Sequence, residues 1–234
     1  MPNISYIKEG EGEVILLLHG WGQNKEMMFP LIDNLKEKFT CVVVDLPGFG
    51  DTPFDNSINI EEYVNNLRKF LIDNNITPKY IIGHSFGGKV AIHYYLKYKD
   101  VEKLIIIASP LLKPKRGLKY YYKIYKYKLK KKFKIKEKNA GSSDYKNCKK
   151  EMRCFFVNVV NTHYNKKLKK VDIPVLLIWG KEDKQVPLNK ARQLSKKIKD
   201  NKLVVLEGDH FAYLENIELT KLYICNFLRR GMCD

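Results

Sequence analysis

No run of apolar residues in the 234-residue sequence is long enough to cross a bilayer. The opening MPNISYIKEGEGE lacks the charged-then-apolar pattern of a secretory leader. A cytoplasmic location is therefore the expectation. Cysteine is sparse: Cys41, Cys148, Cys154, Cys225 and Cys233 are odd in number and contain no CxxC pair. This argues against a disulfide framework or a thiolate zinc site and for reduced thiols. Acidic residues are nearly missing from one stretch. Residues 113–170 hold 21 Lys/Arg and 3 Asp/Glu, in a chain whose net charge is +17. The remainder, with 22 basic and 23 acidic residues, is close to neutral. A general bias toward Lys, Asn, Ile and Tyr at the expense of Ala does not explain that localisation. The chain is a neutral protein carrying one basic block.

With 44% apolar residues the chain can bury a full core. Six short runs are apolar at nearly every position: Val14–Gly20, Cys41–Gly48, Tyr80–Ser85, Leu104–Ser109, Val175–Gly180 and Leu203–Gly208. Continuous rather than alternating apolar character predicts parallel strands buried on both faces. Helical patterns lie between them at Glu61–Asn74, Gly88–Tyr98, Asn189–Lys199 and Ile217–Arg230. In the last, Leu219, Leu222, Tyr223, Phe227 and Leu228 form the expected apolar stripe. Strand and helix in alternation predict an α/β fold with a doubly wound, mostly parallel sheet, and ISYIKEG adds a short antiparallel edge strand.

The rhythm breaks between Ser109 and Val175, where the basic block replaces strand character. Leu118, Tyr122, Tyr125, Leu129 and Phe133 recur every three or four residues, as on one face of a helix with lysines elsewhere. NAGSSDY reads as a loop, and KKEMRCFFVNVVNTHY as a second amphipathic helix.

The chemistry concentrates in IIGHSFGG, a G-x-S-x-G motif that follows a buried-strand run and precedes a helical pattern. Such a turn exposes the hydroxyl of Ser85, and the flanking glycines let the backbone fold that sharply. A serine hydroxyl needs a base, oriented by a carboxylate, to become a nucleophile. Of five histidines, His19 and His84 sit in strand-end glycine motifs, His93 in a helix and His163 in the insertion. His210, in EGDHFAYLE, follows the last strand, where loops of such a sheet gather beside Ser85. Asp183, in WGKEDKQVP, follows the preceding strand; Glu182 and Asp209 are rivals, Asp209 being a strained partner for its own neighbour His210. The order Ser85, Asp183, His210 is nucleophile, acid, base. Donors for an oxyanion are expected in the backbone N–H groups of Phe86 and of Trp21 in HGWG.

LLLHGWG, VVVDLPGFGDT, IIGHSFGGKVAI, LLIWGKEDKQVP and GDHFAYLEN together resemble the α/β-hydrolase superfamily, over residues 13–109 and 172–230. The resemblance implies a core of residues 1–109 and 172–234 and an inserted helical cap at 110–171, in one structural domain. It implies a serine hydrolase with Ser85, Asp183 and His210 as triad, without metal or cofactor. Phe86 departs from the commoner Met, Leu or Gln, but only its N–H is required. A serine at position 85 argues against the haloalkane dehalogenase and epoxide hydrolase branches, which use aspartate. Trp21, Tyr122, Tyr125 and Phe211 are expected to contact a small-molecule ester.

The basic block admits several roles. As a lid it packs tyrosines and aliphatics over Ser85 and leaves lysines in water. As a docking surface it steers an acidic acyl carrier protein, as in the branch that demethylates pimeloyl esters on such a carrier. A non-catalytic module that binds an anionic membrane or nucleic acid through the block is the rival class. No nucleic-acid motif is present, and such a module has no need of a triad. Thioester hydrolysis, acyl transfer and carbon–carbon bond hydrolysis use the same triad.

Overall fold

The structure is a computed structural model, which describes residues 3–33, 35–114, 122 and 143–229. Strands β1 (Tyr6–Glu9), β2 (Glu13–Leu18), β3 (Phe39–Val44), β4 (Tyr80–His84), β5 (Lys103–Ile107), β6 (Val175–Gly180) and β7 (Asn201–Leu206) form one sheet, in the order β1-β3-β2-β4-β5-β6-β7. All neighbours are parallel except β1, which runs antiparallel to β3 with Tyr6 opposite Val44. Every residue of β3, β4 and β6 is buried, as their continuous apolar sequences require. β7 differs from its expectation. It is the edge strand, and only Val204 and Leu206 are buried in it, while Val205 is 43% exposed.

The described helices are α1 (Phe29–Ile32), α2 (Ile60–Asp73), α3 (Phe86–Tyr98), α4 (Ser143–Asn147), α5 (Arg153–Asn161), α6 (Leu188–Ser195), α7 (Ala212–Glu215) and α8 (Ile217–Arg229). α2 begins at Asn59, whose side chain accepts from Glu62 N at 2.9 Å while Glu62 reaches back to Ile58 N at 3.0 Å. It buries Ile60, Tyr63, Val64, Leu67, Phe70 and Leu71. α8 is helical as expected but turned: Thr220, Lys221, Ile224 and Leu228 are buried, whereas Leu219 and Leu222 are exposed. Its contacts with α1 and β6 select that face over the more apolar one. Among the described residues no helix is long and apolar enough to cross a membrane.

The expected first cap helix lies outside the described residues except for Tyr122, which is helical. Part of the expected loop NAGSSDY is instead the start of α4. Tyr145 gives it an anchor, packing against Phe156 at 5.9 Å and under the Arg153 guanidinium at 5.4 Å. The expected second helix is a 3₁₀ turn at Lys150–Met152 followed by α5. Phe155 on α5 is fully buried, stacked on Tyr63 at 4.6 Å and close to Phe86 and Trp21. Asn158 Oδ1 accepts from Ile60 N at 3.2 Å, and the Lys89 ammonium donates to Val159 O at 2.7 Å and Thr162 O at 3.1 Å. The Lys89 bonds add a donor to two carbonyls at the end of α5, where Val159 O also accepts from Thr162 N at 3.2 Å. This half of the insertion is welded to the core.

Two histidines join the strand ends. His19 Nδ1 meets Gly20 O at 2.7 Å, and Nε2 accepts from Leu46 N at 3.0 Å; only the neutral ring protonated at Nδ1 serves both. His84 is wholly buried beside it in the sheet. Burial pushes His19 down to about 4 and His84 to about 3.

Two outcomes follow from this packing. Phe155→Ala removes a ring from the middle of an aromatic cluster and is expected to cost about 3–5 kcal/mol in urea unfolding; a loss below 1 kcal/mol would show that α5 is only loosely docked. Between about pH 4 and 6.5 the folded chain binds fewer protons on His19 and His84 than the unfolded chain does. Stability must therefore fall as pH drops through that window, by about 1.6 kcal/mol per histidine between pH 6.5 and 5. A urea midpoint unchanged between pH 7 and pH 5 would contradict this.

Candidate active site

The loops that leave the carboxyl ends of β2, β4, β6 and β7 meet at one edge of the sheet. They wall a cleft of about 750 Å³ lined by Trp21, Ser85, Phe86, Lys89 and His210, with Phe156 and Val159 of α5 on another side. Ser85 occupies the turn between β4 and α3 at φ 50°, ψ −109°, a strained conformation for a residue with a side chain. Its neighbours hold it there. Ser85 N donates to Ile107 O at 2.8 Å, and Ser109 Oγ donates to Ser85 O at 2.7 Å. A Cβ on Gly87 would lie 2.2 Å from Leu18 O, so only glycine lets α3 approach β2 this closely.

Asp183 and His210 are each 4% exposed. His210 Nδ1 donates to Asp183 Oδ2 at 2.8 Å, which leaves Nε2 free to accept a proton. Asp183 Oδ1 accepts from the backbone N–H groups of Gln185 and Val186, both at 2.8 Å. The loop is pinned in turn by Trp179 Nε1, which donates to Val186 O at 2.7 Å. The rival carboxylates are engaged elsewhere: Glu182 accepts from Gly208 N at 2.7 Å and Asp209 from Phe211 N at 2.8 Å. Ser85 and His210 line the same cleft without a hydrogen bond between them, and such contacts often tighten only with substrate in place.

Phe86 opens α3, where backbone N–H groups have no acceptor within the helix. Trp21 lies in the turn after β2, closed by Gln23 N to Gly20 O at 3.3 Å and braced by Gly20 N to Gln23 Oε1 at 2.9 Å. The Trp21 ring packs edge-on to Phe49, Phe86 and Phe156 and forms part of the cleft wall. The other expected contact residues fare differently. Tyr122 is 65% exposed and does not line the cleft, because its ring faces solvent. Tyr125 lies outside the described residues. Phe211 packs against the His84 and His210 rings, both at 5.5 Å, behind the cleft rather than in its wall.

Three residues near the site were not singled out from the sequence. His84 Nε2 contacts His210 O at 3.2 Å and so holds the backbone of the loop after β7. Gln23 braces the turn after β2. Lys89 is 2% exposed, lies one helical turn beyond Ser85, and burial pushes its ammonium down to about 8. The signal for Lys89 was its place in GGKVAI, a lysine in an otherwise apolar helix stretch. Among the described residues no group of three His, Cys, Asp or Glu is placed to hold a metal ion.

A family model described as alpha/beta hydrolase fold matches residues 13–130, just over half of the chain. A pimeloyl-[acyl-carrier protein] methyl ester esterase of Vibrio vulnificus strain YJ016 is 36% identical over 104 residues, which cover 43% of this chain and only 38% of that relative. The protein of the same name from Legionella pneumophila strain Paris is 26% identical over 244 residues, covering 97% of this chain and 100% of its own length. Among solved structures, an esterase from Exiguobacterium antarcticum superposes with a TM-score of 0.76 at 19% identity, over 97% of this chain and 96% of that one. That likeness speaks to the fold. With the family model spanning β2 to β5 and the G-x-S-x-G turn between them, the chain belongs to the α/β-hydrolase family.

Proposed function

We propose that the protein is a carboxylic-ester hydrolase in which Ser85, His210 and Asp183 act as nucleophile, base and orienting acid. The observation that carries this reading is the buried Asp183–His210 hydrogen bond, whose free Nε2 belongs to the same cleft as Ser85. Ser85 Oγ attacks the ester carbonyl while His210 Nε2 takes its proton. Asp183 keeps the ring in the Nδ1–H tautomer and stabilises the imidazolium. The N–H groups of Trp21 and Phe86 hold the oxyanion. His210 then protonates the leaving alcohol, and water repeats the sequence on the acyl-enzyme.

A carrier-bound ester is a second reading within the same chemistry. It is supported by the name of the full-length Legionella relative and by the 21 Lys/Arg concentrated in residues 113–170. An acidic acyl carrier would be steered to that charge, and steering is screened by salt. On this reading Lys130, Lys131 and Lys132 act on the partner and not on the ester.

Wild-type protein should hydrolyse p-nitrophenyl butyrate, and Ser85→Ala should lose about 10⁴-fold or more in kcat. Undiminished turnover in that variant, or absence of Ser85 labelling by a fluorophosphonate, would reject the triad and favour a non-catalytic module. Asp183→Asn should lose on the order of 10³–10⁴-fold, because the tautomer is no longer enforced. For the carrier reading, reversing Lys130, Lys131 and Lys132 to Glu should lower kcat/KM on a carrier-bound ester at low salt and leave small esters untouched. An equal effect on both substrates would count against it.

A further inference from the structure

We propose that Lys89, in the wall of the cleft one helical turn from Ser85, binds a carboxylate carried by the ester substrate. This deepens the esterase reading by naming a substrate class. The buried charged side chains among the described residues, histidines aside, are Asp45, Lys89, Asp183 and Lys221. Asp45 is paired with Lys25 at 2.7 Å, Asp183 with His210 at 2.8 Å and Lys221 with Glu218 at 3.0 Å. Lys89 has two main-chain carbonyls and no carboxylate. A buried ammonium without a counter-charge is costly, and an apolar side chain would fill the same space.

Closing the end of α5 explains two of the three N–H donors of the ammonium and leaves the third. It also does not require a full charge, since carbonyl oxygens accept equally from neutral donors. What a charge adds is affinity for an anion, and the position suits one. Lys89 follows Ser85, the residue that caps α3, by four residues, so the two are on the same side and about 6 Å apart along the helix axis. Side chains on a helix lean toward its N-terminus, which carries the lysine stem toward Ser85. The rest of the wall is electrostatically permissive. Lys190 adds a second cation, His163 also lines the cleft, and among the described residues the one lining acid, Asp144, is exposed on α4. The apolar part, with Trp21, Phe86, Val159 and Val186, suits a short aliphatic spacer between the ester and the carboxylate. Hydrogen bonds to an ionised group in a desolvated wall discriminate strongly against an analogue that lacks it.

The test compares monoethyl adipate with ethyl hexanoate, which share a six-carbon acyl chain and differ in the terminal carboxylate. A second pair, 4-(hexanoyloxy)butanoate and butyl hexanoate, places the carboxylate on the alcohol half. In wild-type protein the charged member of at least one pair should be favoured in kcat/KM by at least about tenfold. Lys89→Met should bring that ratio to near one, and Lys89→Arg should largely preserve it. A ratio near one in both pairs for wild type overturns the proposal. So does a ratio that survives in Lys89→Met, which would leave the lysine as a clamp on α5. Calorimetric binding of the same four esters to Ser85→Ala, with and without Lys89→Met, reads the same preference without turnover. If Ser85→Ala still hydrolyses the esters, the triad assignment fails. The charged-to-neutral ratio, read in kcat/KM and in its Lys89→Met counterpart, still decides the role of Lys89.

Discussion

The structure depends on how closely the first turn of α3 approaches the end of β2. Gly87 sits where any side chain would meet the Leu18 and His19 carbonyls, and a Cβ on Gly83 would lie 2.5 Å from Gly87. With both glycines in place, the chain between β4 and α3 reverses within one residue, and that residue, Ser85, takes φ 50°. The strain is held by hydrogen bonds to Ile107 and Ser109 on β5 and just beyond it. One contact thereby sets two parts of the site. It places Ser85 in the wall of the cleft, and it brings the Phe86 ring against that of Trp21 at 5.3 Å. Loop placement here is a consequence of strand packing and not of the loops themselves.

The parts of the fold that depend on short-range chemistry were legible in the sequence. Continuous apolar runs located the strands of the sheet, and the N-terminal edge strand pairs antiparallel as expected. The G-x-S-x-G turn lies between a buried strand and a helix because glycine spacing is itself the steric requirement. Asp183 could be favoured over Asp209 from geometry alone, since adjacent residues cannot easily align as acid and base. What escaped depended on tertiary partners. The apolar stripe of α8 pointed to Leu219 and Leu222, but contacts with α1 and β6 bury Thr220 and Ile224 instead. Ser143–Tyr145 looked like a loop because its helix is anchored by Phe156 and Arg153, which come later in the chain. Phe211 looked like a substrate contact because it adjoins His210, yet its ring supports the two histidines from behind.

Charge illustrates the same limit. Counting residues identifies the excess of lysine at 113–170, yet the lysine of greatest energetic consequence among the described residues is outside that block. An exposed lysine costs little to hold, and its field is screened by salt. Lys89 is held away from water at an energetic cost, with two carbonyls at the end of α5 as its partners and the proposed carboxylate as its counter-charge. A net charge of +17 and one buried ammonium are therefore different quantities: the first is a property of the sequence as a whole, the second of one site in the cleft wall.

The selection proposed for Lys89 depends on the wall formed by α5. It is tied to the core by three independent means: the Phe155 ring inside an aromatic cluster, the Asn158 side chain on the first N–H of α2, and the Lys89 ammonium on its final carbonyls. A wall fixed in this way cannot yield to an ill-fitting substrate without breaking contacts that also hold the fold together. It follows that the distance between Lys89 and Ser85 is set before a substrate arrives. A pre-set separation between a nucleophile and a cation discriminates by spacer length as well as by charge, because the entropy of aligning the two groups has already been lost in folding.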